Sequence, residues 1–442
     1  MWPGLSGAGQ RPPPVLCGSR RGAGILNAMM PAATGPGRAD DDERARPSTG
    51  GPCARAGAGL RPLSGMLVVD TSTYLAGPFA SLMLADLGAE VIKVEPPRGD
   101  PFRRIGYRHP GADKEAPSVG FAAVNRDKRG VRLDLRTEDG RRRMLELLGR
   151  ADAFVENWRP GVAARLGLDD ATLERTNPRL LHVAITGWGP DGPWADRPAF
   201  DAVMQGVTSH AHAVGEGNEP RLIGTALADK VAGMMAAQAV LAGLLARERG
   251  QGAGRVDVSM LDACAYFAAP DMLETRMVVS EDYDAPPRLT FPSTLVRCAD
   301  GHIVASPGSG AQVAAACRAV GHPEWVDRLR AQPTHAALGN ELNRLLGTAA
   351  ATMTTESLLG ALTEHDVPCA PALDLDGQLA HPQVLHNGTY PEYSDQHFGT
   401  VRRARYPAVG QRWSVPETSR SSPTLGQHTP ELAPPDGGGS AG

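Results

Sequence analysis

The sequence predicts an α/β protein whose large domain has a doubly wound parallel sheet and is joined to a smaller α+β domain. Strand-like and helical segments alternate from residue 66 to residue 187, which is typical of parallel β-α-β units. The pattern changes after residue 285, where a hairpin signal precedes several helical segments. At 442 residues the chain is also longer than one hydrophobic core normally supports, which favours more than one domain.

The first β-α-β unit has a clear pattern. MLVVDTS (66–72) is a short apolar run of strand type, and VIKVEPP (91–97) is a second strand that prolines end. AGPFASLMLADLGAE (76–90) lies between them with helical spacing, and Pro78 suits its first turn. The later elements are expected as strands at 130–135, 152–157 and 180–187, helices at 137–151 and 230–248, and a strand running into a helix at 255–263. Together they predict a Rossmann-like sheet with right-handed crossovers.

The second domain is expected to start with a β-hairpin. STLVRCADGHIVAS (293–306) has two strand-like runs around Asp300-Gly301, and helical stretches follow at 311–320, 341–351 and 356–365. We therefore predict five segments. They are a disordered Gly/Pro-rich extension (1–64), a large domain (65–284), a small domain (285–375), a C-terminal segment that returns to the large domain (376–432) and a tail (433–442).

Composition excludes several classes of protein. A formal charge of −4 is too weak for a nucleic-acid footprint. Six scattered cysteines, with no C-x-x-C pair, indicate neither a zinc knuckle nor a disulfide scaffold and favour the reducing cytoplasm. The longest uncharged apolar stretch (231–246) is shorter than the roughly 20 residues that span a bilayer, so we expect a buried helix there and no membrane partner.

The common nucleotide and catalytic motifs do not occur. The sequence has no G-x-x-x-x-G-K-[ST] loop, and its first βα turn, TSTYLAGP (71–78), differs from the dinucleotide pattern G-x-G-x-x-G. Neither H-E-x-x-H nor G-x-S-x-G occurs. The residues alone therefore predict only a ligand at the carboxyl ends of the strands.

Five motifs in order carry a family resemblance: GAEVIKVEPPRGDPFRR (88–104), VNRDKRGVRLDL (124–135), VENWRPGVAARLGL (155–168), ITGWGPDGPWADRPAFDAVMQG (185–206) and GQGAGRVDVSMLDA (250–263). The sequence resembles the class III CoA-transferase family, also called the carnitine CoA-transferase or bile-acid-inducible family, over residues 63–429. The resemblance implies an interlocked homodimer, with each active site between the large domain of one subunit and the small domain of its partner.

The resemblance implies that Asp229, in GTALADKVAGMM (224–235), is a nucleophile. From the residues alone, an aspartate that opens a helix is usually an N-cap, and the two roles are compatible. In the implied reaction, Asp229 attacks an acyl-CoA thioester. This attack forms a mixed anhydride, which is then converted to an aspartyl-CoA thioester, and a free carboxylic acid finally accepts the CoA. CoA is thus a substrate, and no metal or resident cofactor is expected.

Racemases that act on 2-methylacyl-CoA are an alternative within the same family. They use a histidine where this chain has Phe200, and phenylalanine cannot transfer a proton. His182, His210 and His212 are nearby in sequence but are expected to be ordinary strand and loop residues. Asp201 is expected to help orient Asp229. A catalytically silent CoA-binding protein is a further alternative.

The resemblance also suggests where CoA is bound. Leu75 stands in the first βα turn where oxalate- and formate-specific relatives have glutamine, so with Tyr74 it favours a larger or more apolar acyl group. Arginines at four further positions suit the phosphates of CoA, because they carry positive charges. The residues at the positions that contact CoA are Asn157, Trp158, Arg165, Arg103, Arg104 and Arg136.

Overall fold

The computed structural model describes residues 61–109, 116–215, 219–273, 276–280, 294–408 and 419–433. Over those residues the chain forms two compact units. The smaller unit comprises residues 294–375, and the larger unit comprises the other described residues.

Most of the predicted N-terminal extension and C-terminal tail lies outside the described residues. The described residues at the inner edges of both segments pack against the larger unit, so the disorder expected for residues 1–64 does not extend to residues 61–64. Residues 61–64 form a turn in which the Leu63 amide donates to the carbonyl of Leu87, and the Leu63 side chain is buried. Ala433 is also buried, against the core of the larger unit. Both side chains are apolar, so burial stabilises them despite their Gly/Pro-rich surroundings.

A six-stranded parallel sheet forms the larger unit. Its strands are β1 (Leu67–Asp70), β2 (Glu90–Glu95), β3 (Arg129–Arg132), β4 (Ala153–Glu156), β5 (Leu181–Thr186) and β6 (Gly254–Ser259). Their order is β3-β2-β1-β4-β5-β6, which confirms the doubly wound prediction. Strands are added to one side of β1 as far as β3 and then to its other side from β4 onward. This reversal of strand order between β1 and β4 leaves a crevice at their carboxyl ends that is suited to a ligand.

Helices cover both faces of this sheet. They are α1 (Ala76–Asp86), α2 (Val119–Asn125), α3 (Glu138–Gly149), α4 (Val162–Arg165), α5 (Asp170–Thr176), α6 (Asp201–Val207), α7 (His210–Ala213), α8 (Leu227–Glu248) and α9 (Met260–Met272), with a short 3-10 helix at Pro101–Arg104. Neighbouring residues of each strand face opposite sides: Val68 packs with α1 and α8, whereas Val69 packs with α3. The sheet is therefore buried on both faces, as its apolar strands require.

Helix α8 is long and apolar enough to cross a bilayer, but 44% of its most apolar 18-residue stretch is buried inside the larger unit. Its buried residues include Val231, Ala236 and Val240, which join the core cluster against α1 and β5. This is the packing of a core helix.

The smaller unit contains the predicted hairpin. β7 (Thr294–Arg297) and β8 (His302–Ala305) pair antiparallel around Asp300-Gly301. A third strand, β9 (Cys369–Pro371), extends this sheet and was not predicted, because three residues that include a proline carry no strand pattern. The helices of this unit are α10 (Gly310–Ala319), α11 (Trp325–Arg330), α12 (His335–Ala350) and α13 (Thr355–Glu364).

The C-terminal segment has more regular structure than its sequence indicates. It contains α14 (Leu375–Ala380), α15 (Pro382–Asn387), the hairpin of β10 (Glu392–Asp395) and β11 (Gly399–Arg402), and α16 (Thr429–Leu432). Its last part lies along the open edge of β3. His428 accepts a hydrogen bond from the Gly130 amide on Nδ1 (3.0 Å), and the Thr429 hydroxyl accepts one from the Arg132 amide (2.9 Å).

A buried cluster of charges lies below the turn that joins β1 to α1. Asp70, Lys93 and Lys128 are fully buried, and Asp70 accepts hydrogen bonds from Ser81 (2.6 Å) and Lys128 (3.1 Å). Burial alone would raise the pKa of Asp70, but the two ammonium groups and nearby hydroxyls outweigh it and lower this pKa to about 2. Lys93 also donates to the Ser72 carbonyl, so the cluster holds the start of the turn.

Gly233 of α8 packs closely against the start of α1. A Cβ at this position would lie 2.6 Å from the backbone oxygen of Ala76, the first residue of α1. Only glycine permits this approach, so residue 233 sets the distance between the second turn of α8 and the start of α1.

We expect Gly233→Ala to lower the free energy of unfolding by about 2 kcal/mol, because a backbone oxygen cannot move aside without shifting α1. Gly206→Ala in α6, where a Cβ meets nothing within 4 Å, is the control and should raise stability by about 0.5 kcal/mol. Urea unfolding followed by circular dichroism measures both. Equal stability of the two variants would contradict this account of the helix contact.

Candidate active site

Two cavities open at the carboxyl ends of the central strands. The first, which we call the Asp229 cavity, has a volume of about 580 Å³. The second, which we call the Arg136 cavity, also has about 580 Å³. Thr73 and Trp158 line both cavities, so the two spaces meet at these side chains. Both cavities belong to the larger unit.

Asp229 is the third residue of α8 and faces the first cavity. Burial, the negative charge of Asp201 and, in the opposite direction, Lys230 act on this carboxyl, and together they raise its pKa to about 6. Within the described ranges, no group donates a hydrogen bond to its carboxylate. Asp229 is therefore not the N-cap of α8, and its oxygens are available to a ligand.

Asp201 caps α8 from the neighbouring helix. It is the first residue of α6, and its Oδ1 accepts hydrogen bonds from the amides of Ala228 (2.6 Å) and Asp229 (3.4 Å). The position before α8 is occupied by Ala226, which has no polar side chain. A carboxylate from another element thus takes the place of a local N-cap and holds the backbone that carries Asp229.

Gln205 holds Asp201 in this position. Its Nε2 donates to Asp201 Oδ2 (2.7 Å) and to the Thr225 carbonyl (3.2 Å), while its Oε1 accepts from the Ile223 amide (2.8 Å). Gln205 is buried, so these contacts are protected from water. Our sequence analysis missed this residue, although its i,i+4 spacing from Asp201 on a helix was a usable signal.

The β1–α1 turn forms one wall of the Asp229 cavity. Tyr74 has a φ of 63°, in the left-handed region that non-glycine residues rarely adopt, and Leu75 follows it as the N-cap of α1. Both line the cavity, but whether Leu75 contacts CoA stays a prediction.

One carboxylate oxygen keeps this turn in place. Oδ1 of buried Asp100 accepts hydrogen bonds from the amides of Tyr74 (3.2 Å) and Phe102 (2.9 Å), and both of those residues line the cavity. Asp100 Oδ2 lies 3.4 Å from the ammonium group of Lys93 in the buried charge cluster. The cluster therefore supports the strained backbone of Tyr74.

Asn157 binds the same turn with both ends of its amide. Its Oδ1 accepts from the Thr73 amide and its Nδ2 donates to the Thr73 carbonyl, each at 2.8 Å. Asn157 thus positions the backbone of the turn. Trp158 lies beside it, and its amide donates to the buried Glu156 carboxylate (2.5 Å). The Trp158 ring packs edge-to-face on Phe154, with ring centres 6.1 Å apart, and it lines both cavities.

The four arginines expected at the CoA phosphates occupy different environments. Arg136 lines its cavity and pairs with Asp134 (2.7 Å) at the surface. Arg104 is exposed and donates to the Arg98 carbonyl, and Arg165 is exposed at the end of α4. Neither Arg104 nor Arg165 lines either cavity.

Arg103 is buried in the fold, which argues against a contact with CoA. Its guanidinium forms two hydrogen bonds with the Glu95 carboxylate (2.6 and 2.7 Å) and lies 3.9 Å from the centre of the Phe121 ring. A guanidinium already paired and buried in this way has a structural role. The sequence could not distinguish Arg103 from Arg104, since only tertiary packing decides which of them points inward.

Among the residues that the structure describes, no histidine lines the Asp229 cavity. His182 and His210 are buried, and His212 is exposed on α7. Phe200 lines this cavity and packs edge-to-face on Tyr74, with ring centres 5.6 Å apart. Across the described part of the chain, no three His, Cys, Asp or Glu side chains gather as metal ligands.

The chemistry available to this site is that of a carboxylate nucleophile. Above a pH of about 6, Asp229 is ionised, lacks a hydrogen bond from the described residues and faces a partly apolar space. Such a group attacks an activated carbonyl well because little solvation has to be removed first.

Comparison with known proteins identifies the family. The model of CoA-transferase family III matches residues 63–429. Human succinyl-CoA:glutarate CoA-transferase is 31% identical over 382 residues, which are 84% of this chain and 85% of the human protein.

Two solved structures have the same fold. A Mycobacterium tuberculosis protein, Rv3272, superposes with a TM-score of 0.73 and 31% identity, covering 85% of this chain and 99% of the other. A CaiB/BaiF family protein from Brucella suis has a TM-score of 0.71 and 30% identity, covering 83% and 97%. With its doubly wound sheet and the family match over most of its length, this chain belongs to CoA-transferase family III.

Proposed function

We propose that this enzyme moves CoA from an acyl-CoA to a free carboxylic acid through covalent intermediates on Asp229. The observation that carries this proposal is the placement of Asp229. Its carboxylate faces a cavity of about 580 Å³, is partly desolvated and accepts no hydrogen bond from the described residues. The human relative, whose name states transfer from succinyl-CoA to glutarate, supports the same reaction type.

The reaction balances without an external energy source. The Asp229 carboxylate attacks the thioester carbon, and the carbon–sulfur bond breaks. CoA departs as the thiolate, and a mixed anhydride forms between Asp229 and the donor acid. The thiolate then attacks the Asp229 carbonyl carbon and releases the donor acid, which gives an aspartyl-CoA thioester. The acceptor carboxylate then attacks the aspartyl-CoA thioester, which releases CoA thiolate and forms a second mixed anhydride. The thiolate attacks the acceptor's carbonyl carbon in this anhydride, so that the acceptor leaves as its CoA thioester and the Asp229 carboxylate is regenerated.

We propose that CoA spans the two cavities. The thioester lies in the Asp229 cavity, the pantetheine arm passes Trp158 and Thr73, and the nucleotide end lies in the Arg136 cavity. Arg98 and Arg136 both line that second cavity and can bind phosphates as cations. Arg104 and Arg165, which are exposed outside both cavities, are weaker candidates. CoA is consumed and reformed as a substrate in this scheme, and the proposed site of action is the cytoplasm.

The racemase alternative is not favoured. An α-proton transfer needs a second acid-base group opposite Asp229, and Phe200 at the corresponding position has none. The alternative of a silent CoA-binding protein predicts that CoA binds without any covalent adduct on Asp229.

Asp229→Asn and Asp229→Ala should lower kcat at least about 1,000-fold, because neither side chain can form the anhydride. Hydroxylamine added to the wild-type enzyme with an acyl-CoA donor should modify Asp229, and peptide mass spectrometry would locate the label. Asp191→Asn, an exposed loop carboxylate, is the matched control. CoA transfer that survives in both Asp229 variants, or a hydroxylamine label on another residue, would refute the mechanism.

The rate should depend on pH through Asp229. Its pKa is raised to about 6, so kcat/KM should fall about tenfold per pH unit below that value as the nucleophile becomes protonated. Asp201→Asn keeps an oxygen for the α8 amides but removes the negative charge that raises this pKa. The acid limb should therefore move to lower pH. Burial, the largest cause of the raised pKa, stays in this variant, so an unchanged midpoint would contradict the contribution of the Asp201 charge.

We further propose that the enzyme is an interlocked homodimer, as its resemblance to the family implies. The larger unit exposes an apolar face on two adjacent helices, α6 and α9, made by Val203, Val207, Tyr266 and Phe267 together with Phe200 just before α6. A second copy of the chain would cover this face. Light scattering after gel filtration should give twice the chain mass even at nanomolar dilution, because interlocked chains cannot separate while folded. A monomer mass at any such dilution would refute the interlocked dimer.

A further inference from the structure

Arg197 places a positive charge in the Asp229 cavity. It lies in the loop between β5 and α6, and its guanidinium carbon is 3.9 Å from the centre of the Trp194 ring. Trp194 packs edge-to-face on Trp188, with ring centres 4.7 Å apart, and Trp188 packs against the core. The aromatic pair therefore forms a shelf that orients the planar guanidinium and reduces its freedom.

This guanidinium has no acidic partner among the residues that the structure describes. No carboxylate of those residues lies within 4.0 Å of Arg197, and none of its side-chain nitrogens donates a hydrogen bond to them. Asp201, the other acidic residue in the cavity besides Asp229, is already used by the amides of α8. An oriented guanidinium with unused donors is well suited to bind a carboxylate through two parallel hydrogen bonds.

The cation and the nucleophile occupy separate positions in one cavity. Arg197 and Asp229 both line it but are too far apart to form an ion pair. Much of the remaining lining is apolar, including Ile185, Phe200 and Met260. A matching molecule therefore has one carboxyl group that reacts at Asp229, a short hydrocarbon chain, and a second carboxylate that reaches Arg197.

Arg159 is the other cation that lines this cavity. It follows Trp158 directly in the chain, and Trp158 lines both cavities. This places Arg159 at the junction where the pantetheine arm is proposed to pass. Arg197 is thus the better candidate for the acyl end of the site.

We infer that Arg197 binds the distal carboxylate of a dicarboxylic acid, so that the preferred acceptors of this enzyme are short dicarboxylates rather than monocarboxylates. This inference rests on the proposed CoA transfer through Asp229. The distal carboxylate accepts hydrogen bonds from Arg197 and stays unchanged, while the other carboxyl group forms the anhydride and then the thioester. Apolar Leu75 and Phe200 contact the hydrocarbon chain between the two ends.

Acceptors of equal chain length test this inference. With acetyl-CoA as the donor, kcat/KM is measured for succinate against butyrate and for glutarate against valerate. The wild-type enzyme should prefer at least one dicarboxylate by about 10- to 100-fold. Arg197→Gln should reduce that preference at least about tenfold, and Arg197→Lys should keep part of it, since lysine retains the charge but not the two-pronged geometry.

Arg179→Gln is the matched control, because Arg179 is an exposed arginine of the same unit that lines neither cavity. It should keep the wild-type preference. Equal rates for the paired acceptors in the wild-type enzyme would overturn the inference. So would an equal loss for both acceptor types in Arg197→Gln, which would assign Arg197 to CoA or to the reacting carboxylate. Failure of the proposed function has a different result: no transfer to any acceptor and no adduct on Asp229.

Discussion

The Asp201 carboxylate, which accepts the free amides at the start of α8, is the contact on which the active site depends. It fixes the first turn of the helix that presents Asp229 and supplies the negative charge beside that carboxyl group. A charged hydrogen bond of this kind contributes about 1.5–3 kcal/mol. Burial raises the pKa of Asp229 most, and the same charge raises it further, so one side chain both stabilises the helix and opposes the ionisation of Asp229. Gln205 keeps that side chain between the helices.

The opposite wall of the site depends on buried charges in the sheet. A left-handed Tyr74 is strained, and it persists because Asp100 accepts a hydrogen bond from its amide and Asn157 binds the backbone of Thr73 just before it. Asp100 in turn lies beside Lys93 in the charge cluster below the turn. A buried ion pair of this kind is weak evidence for stability, since desolvation offsets most of the attraction. Its role here is to specify the shape of the turn.

The two cavities suit a long ligand with distinct ends. Trp158 lines both of them, and its ring packs on Phe154 in the core of the larger unit. One space contains the nucleophile and a largely apolar wall, and the other contains surface cations. An enzyme that exchanges one thioester for another needs this separation, because the nucleotide end stays bound while the acyl end changes.

Local sequence patterns determined the strands, the long core helix and the hairpin of the smaller unit, because period-2 and period-3.6 burial is a property of consecutive residues. The five ordered motifs determined the family and pointed to Asp229. Tertiary structure alone decided that Arg103 is buried against Glu95 while Arg104 is exposed, that Asp201 caps a helix of which it is not part, and that Arg197 shares a cavity with Asp229. These relations join residues that are distant in sequence or that differ only in direction, and no local pattern records which way a side chain points once the chain has packed.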